Sequence, residues 1–238
     1  MTPVPPPGRA ALAFLDGVRR ATPRRTFLQW AGLTLGVSVI GCSDDDPVGP
    51  MPGGDDVMLG AGDIGILNYA YALEQLEAAF YTRVVGAPYA GIATDELALL
   101  TDIRDHEIVH REFLKAALGA QAIPMLTFDF TSVDFTSRAS VLGAARTFED
   151  LGVSAYNGAG ALISDAGYLL LAGKIVSVEA RHASAIRDLL NPGSADFAGD
   201  DVVTPASGLD GAKTPAAVLA AAAGFLNETI DASTLPSS

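Results

Sequence analysis

Two short phrases carry the chemistry of this sequence. Glu107-Ile-Val-His110 and Glu179-Ala-Arg-His182 each set a carboxylate and an imidazole three residues apart, and on a helix that spacing puts both groups on one face. The stripes through them are otherwise apolar: Leu100, Ile103, Glu107, His110 and Leu114 in one, and Ile175, Glu179, His182, Ile186 and Leu189 in the other. A polar pair on an apolar stripe points into a core. Upstream of each pair stands a second repeated phrase, Leu73-Glu74 followed by Tyr81 and Phe148-Glu149 followed by Tyr156, with the tyrosine seven residues after each glutamate. Seven residues are two helical turns, so each half of the chain offers a glutamate helix and then a Glu-x-x-His helix, as in a duplicated unit.

Four glutamates on core-facing stripes would each cost several kcal/mol as bare ions. A positive charge must compensate them. Two divalent cations balance four carboxylates, and two neutral imidazoles complete the donor set. Carboxylate and imidazole without thiolate favour iron or manganese over copper(I) or structural zinc. The expected cofactor is therefore two Fe or Mn ions among Glu74, Glu107, His110, Glu149, Glu179 and His182. Glu77 departs from the duplication, because Gly152 stands at the matching place; it reads as an extra metal ligand or a gate residue. Glu107 is the first catalytic candidate. Tyr81 and Tyr156 read either as core aromatics or as phenols hydrogen-bonded to metal carboxylates, in which case they too take part in catalysis.

His106-Glu107-Ile-Val-His110 also matches His-Glu-x-x-His, in which two histidines bind zinc and the glutamate is the general base of a protease. A third ligand should then follow downstream, and no such continuation is present. Val178 occupies the position before Glu179, so the motif does not recur. The protease reading explains one helix and leaves Glu74, Glu149, Glu179 and His182 without a role. Under the two-metal reading, His106 lies outside the ligand set, behind a ligand or on the surface.

The elements that must position these groups follow from apolar periodicity. A first helix is expected over Ile64–Tyr81 with Asp63 as its cap, and a second over Asp95–Leu118 with Thr94 as its cap and a stop at Gly119. Residues 120–138 contain Pro124 and scattered phenylalanines, and they are too long for a tight turn. They read as a crossover. A third helix over Arg138–Ile163 and a fourth over Asp165–Leu190 follow, the latter ended by Asn191-Pro192-Gly193. After a polar stretch, Thr214-Pro215 opens a short alanine-rich helix to about Asn227. The fold class is thus all-α: a four-helix bundle with one long central crossover and a short C-terminal helix.

The first 41 residues read as a targeting segment. Arg24-Arg25-Thr-Phe-Leu28 resembles the twin-arginine export signal, and the apolar run Phe27–Gly41 is too short to span a bilayer, which needs roughly 20 residues. The run ends in Val39-Ile-Gly-Cys42, which resembles the site at which bacterial lipoproteins are cut and acylated, and it holds the only cysteine in the chain. The expectation is export across the cytoplasmic membrane to the periplasm or cell surface, with an anchor at lipidated Cys42. Residues 42–60, rich in Pro, Gly and Asp, read as a flexible tether, 61–192 as the bundle domain, and 193–238 as an extension carrying the short helix. With 49% hydrophobic residues the chain can bury one substantial core, and a formal charge of −13 excludes nucleic-acid binding through neutralised phosphates. Losing a segment that holds five arginines and one aspartate makes the remainder more acidic still.

Leu73-Glu74-Gln-Leu-Glu77-Ala-Ala-Phe-Tyr81, together with the two Glu-x-x-His pairs, resembles the ferritin-like superfamily and, within it, exported desiccation-related proteins with a ferritin-like domain. The resemblance runs from Ile64 to Leu190. It implies that Glu107, with Glu149 or Glu179, bridges the metal ions. It also implies ferroxidase or peroxide-scavenging activity, with O2 or H2O2 as the small-molecule partner, or else a non-catalytic metal-binding bundle that protects against drying. Pairing of two chains into a homodimer is compatible with either.

Overall fold

The computed structural model of the protein describes residues 56–237. The segment read as a targeting signal, Cys42 and most of the stretch read as a tether lie outside the described residues. Four long helices dominate: α1 (Gly62–Gly86), α2 (Thr94–Leu118), α3 (Arg138–Gly160) and α4 (Ala166–Leu190). Helix α1 packs along α2 and α3 along α4, and α1 and α3 face each other across the core. This is the expected all-α bundle, with the crossover at residues 119–137 between α2 and α3.

Helix α1 is buried on nearly every side from Gly65 to Tyr81. A helix without a polar face can be stable only when covered all round, and its cover comes from α2, α3, the crossover and the C-terminal extension. Two buried amide side chains, Asn68 and Gln75, hold that cover in place. Asn68 donates to the carbonyls of Leu59 (3.0 Å) and Gln121 (2.9 Å) and accepts from Ile123 N (2.9 Å). Two turns later, Gln75 Oε1 accepts from Leu126 N at 2.8 Å. The start of the crossover is thereby pinned along α1, which satisfies backbone groups that no sheet or helix would.

The extension wraps the other side of the crossover. Strand β1 (Val57–Met58) pairs in parallel with β4 (Ile230–Asp231), a short hairpin joins β2 (Val203–Thr204) to β3 (Leu209–Asp210), and α5 (Pro215–Ala222) buries Val218, Leu219 and Ala222. Phe225 meets Phe148 edge to face at 4.7 Å between ring centroids, and Phe148 meets Phe80 likewise at 5.0 Å, so aromatic packing ties the extension to the bundle. Among the described residues, no helix is long and apolar enough to cross a membrane.

Several local expectations change. Asp63 does not cap α1: Ala61 is the N-cap, without a side-chain bond, and Asp63 instead accepts from the backbone N–H groups of Ser164 and Asp165, both at 2.8 Å. The carboxylate thus serves the α3–α4 turn, whose exposed amides compete for it across the bundle. Thr94 is the first helical residue rather than the cap, and Ala93 precedes it. Helix α1 runs five residues beyond Tyr81, and α3 stops three residues short of Ile163. The alanine-rich helix ends at Ala222 and gives way to a 3₁₀ turn over Ala223–Phe225. Packing begins inside the stretch read as tether, since Leu59 is fully buried and its N–H bonds to Asp231 O at 3.2 Å.

Candidate metal centre

The glutamate phrases and the Glu-x-x-His phrases meet in the middle of the bundle, one from each helix. Glu74 (α1), Glu107 (α2), Glu149 (α3) and Glu179 (α4) have no exposed surface at all, and His182 is 5% exposed. Two overlapping groups form. Glu74, Glu107, His110 and Glu179 make one; Glu107, Glu149, Glu179 and His182 make the other, with one donor atom from each residue within 4.8 Å of the others. Glu107 and Glu179 belong to both. The duplication read from the sequence is therefore a spatial two-fold, with the Glu-x-x-His glutamates at its centre and Glu74 and Glu149 at its two ends.

The two tyrosines cross this two-fold. Tyr81 of α1 donates to Glu149 Oε1 of α3 at 2.6 Å, and Tyr156 of α3 donates to Glu74 Oε1 of α1 at 2.5 Å. Each phenol occupies one oxygen of an outer glutamate and leaves Oε2 turned inward. Both are thus positioned as hydrogen-bonding phenols as well as core aromatics.

The inward atoms are close to one another without being bonded to one another. His110 Nδ1 lies 2.9 Å from Glu179 Oε1 and 3.4 Å from Glu74 Oε2, and His182 Nδ1 lies 2.8 Å from Glu107 Oε1 and 3.5 Å from Glu149 Oε2. Yet Glu74 Oε2, Glu149 Oε2, both oxygens of Glu107 and of Glu179, and both Nδ1 atoms make no hydrogen bond of acceptable geometry. Buried polar atoms without partners are rare and costly. Short distances with the wrong angles mean that the lone pairs aim at shared points between the atoms. Donor atoms placed about 2.1 Å from a common ion at right angles stand roughly 3 Å apart, which is the spacing seen here. Carboxylate and imidazole donors thus fit a pair of divalent ions, and no cysteine lies among the described residues.

Electrostatics agree. Burial, and then the neighbouring Glu179, push the Glu107 carboxyl far above its ordinary range, and burial raises Glu149 to about 7. Burial alone would raise Glu179, but the His110 and His182 imidazoles beside it together outweigh that and take it the other way, to about 2. Burial opposes charge on His182, but the Glu107, Glu149 and Glu179 carboxylates push it up to about 12; burial likewise opposes charge on His110, and Glu107, Glu179 and Glu74 raise it. An ion bound among these groups would take the place of protons on the imidazoles.

Glu77 is buried beside the centre but belongs to neither group. Its Oε1 lies 3.0 Å from where a Cβ would stand at Gly152, so it fills the space left by that glycine, and burial followed by the charge of Glu107 raises its carboxyl strongly. His106 is exposed at the rim of the centre and also stands behind a candidate ligand: its Nδ1 lies 2.9 Å from His182 Nε2. The only sequence signal for that contact was its place beside Glu107. The arrangement does not support a His-Glu-x-x-His zinc site, because His106 faces the outer nitrogen of His182 while His110 faces the carboxylates.

A bundle of four helices with buried carboxylates and imidazoles at its waist defines a class of metal-binding helical proteins. A family model described as a ferritin-like domain matches residues 62–192, and the chain belongs to this family. A search of curated proteins finds no match.

Proposed function

We propose that this is an exported, lipid-anchored ferritin-like protein that binds two iron or manganese ions and uses them to oxidise ferrous iron or remove peroxide under stress. The observation that carries the reading is the set of eight buried ligand atoms without hydrogen-bond partners, arranged in two groups that share Glu107 and Glu179. Two ferrous ions bound there would supply one electron each, enough to reduce one H2O2 with two protons to two waters. The residues do the rest. Glu107 and Glu179 offer both oxygens to the shared space, so each can adjust as the charge between them changes. Tyr81 and Tyr156 hold Glu149 and Glu74 in place from the opposite half of the bundle, and the core around them excludes water.

Metal analysis of purified protein, followed by ferrous-iron-dependent uptake of O2 or H2O2, tests this. Two ions per chain and sustained uptake are expected, with Glu107→Ala and His182→Ala each abolishing uptake while helix content is retained. Metal binding without turnover would instead identify a protective scaffold. Export and anchoring draw support from Arg24-Arg25 and from Cys42 after its apolar run. Replacing both arginines by lysine should trap precursor inside the cell, and a Cys42→Ala protein that still fractionates with membranes would count against the lipid anchor.

A further inference from the structure

We infer that His106 is a positioning residue for His182, and that it makes the two metal positions unequal, the His182 position binding its ion more tightly than the His110 position. The inference rests on the reading that the centre takes two ions.

The contact is a hydrogen bond in the plane of both rings. His106 Nδ1 and His182 Nε2 are 2.9 Å apart, the ring planes differ by 10°, and the centroids are 5.2 Å apart. Parallel rings stacked face to face keep about 3.5 Å between planes, so nitrogens 2.9 Å apart cannot belong to a stack. The rings lie end to end.

That geometry fixes hydrogens. When His182 gives its Nδ1 lone pair to an ion, Nε2 must carry the hydrogen and can only donate. His106 Nδ1 is its acceptor. The bond sets the tautomer and locks the ring with Nδ1 facing Glu107, Glu149 and Glu179, 2.8 to 3.7 Å away. Partners of this kind behind a ligating histidine change metal affinity about 10–100-fold.

The two-fold exposes the asymmetry. Glu107 and His110 of α2 match Glu179 and His182 of α4, so the residue that should support His110 is the one before Glu179. It is Val178, whose side chain has no acceptor. The His-Glu-x-x-His phrase on α2 thus has a use without zinc: its second histidine belongs to one position, and its first steadies the ligand of the other across the bundle.

Titration of metal-free protein with Co2+, followed by calorimetry and visible absorption, reads both positions without any turnover. Wild type should bind two Co2+ in separable phases. His106→Ala should weaken the tighter phase 10–100-fold and leave the weaker one in place, whereas His106→Gln, which keeps an acceptor, should recover most of the loss. Backgrounds assign the phase: with Glu74→Gln the remaining position should still lose affinity on His106→Ala, and with Glu149→Gln it should not. Equal weakening of both phases, no change in either, or an effect that persists in Glu149→Gln overturns the inference while two ions still bind. Fewer than two Co2+ in wild type overturns the two-ion reading itself.

Discussion

Replacing Glu149 by glutamine should stabilise the metal-free protein and destabilise the loaded one. Glu149 has no exposed surface, and burial raises its carboxyl from 4.5 to about 7 even though His182 and Tyr81 pull the other way. The folded value lies above the unfolded one. The penalty on the ionised form is therefore absent below the unfolded value, grows as pH rises, and is complete once pH passes the folded value. At about 1.4 kcal/mol per pH unit, an ionised Glu149 costs the metal-free fold about 3 kcal/mol. Glutamine keeps the shape and can still accept from Tyr81, but carries no charge. In a chain of this size 1 kcal/mol moves Tm by roughly 2–4 °C, so Glu149→Gln should raise Tm by roughly 6–12 °C in chelator at about pH 8. Little change is expected at about pH 5, where Glu149 is protonated in the folded wild type. Saturating Mn2+ should reverse the ranking, because the ion stabilises wild type by its binding free energy and the variant lacks one oxygen ligand. Calorimetric melting at both pH values, with chelator and with Mn2+, reads all of this. A variant less stable than wild type in chelator at the higher pH would refute the argument that uncompensated carboxylates strain this core.

Gly158→Ala should destabilise despite the usual helical preference for alanine: its Cβ would collide with the carbonyl oxygen of Lys213, whose N–H bonds to Ser154 O at 2.9 Å. Lifting that segment should cost about 1–3 kcal/mol in urea denaturation, and a stabilised variant would mean the extension does not dock there. Arg187 is buried and binds both oxygens of Asp150 (2.8 and 2.7 Å) and of Asp201 (3.0 and 2.8 Å). Arg187→Ala should cost about 1–3 kcal/mol and speed proteolytic cleavage within residues 193–213; unchanged cleavage would show that the ion pairs do not hold this segment. Tyr81→Phe should lower affinity at the position that includes Glu149 more than at the other, by Co2+ titration, since it frees only that carboxylate to rotate.

The sequence by itself determined the four long helices and which of their faces carry the chemistry. Helical periodicity is local, and a Glu-x-x-His pair on an apolar stripe has one place to go. The repeated spacing from Glu to Tyr marked α1 and α3 as related by the same logic. Only the tertiary structure decided what those groups meet. That Tyr81 serves Glu149 and Tyr156 serves Glu74, each in the opposite half, follows from α1 and α3 facing each other, which no spacing within one helix encodes. That Glu107 and Glu179 sit centrally while Glu74 and Glu149 sit outside depends on how far the four helices are offset along their axes. Asp63 looked like a cap because caps are recognised locally, yet the amides of the α3–α4 turn, about a hundred residues away, claimed its carboxylate. His106 shows the same limit. As one residue on α2 it could read as surface or as a zinc ligand, and it became the partner of His182 only because packing brings α4 within a hydrogen bond of it.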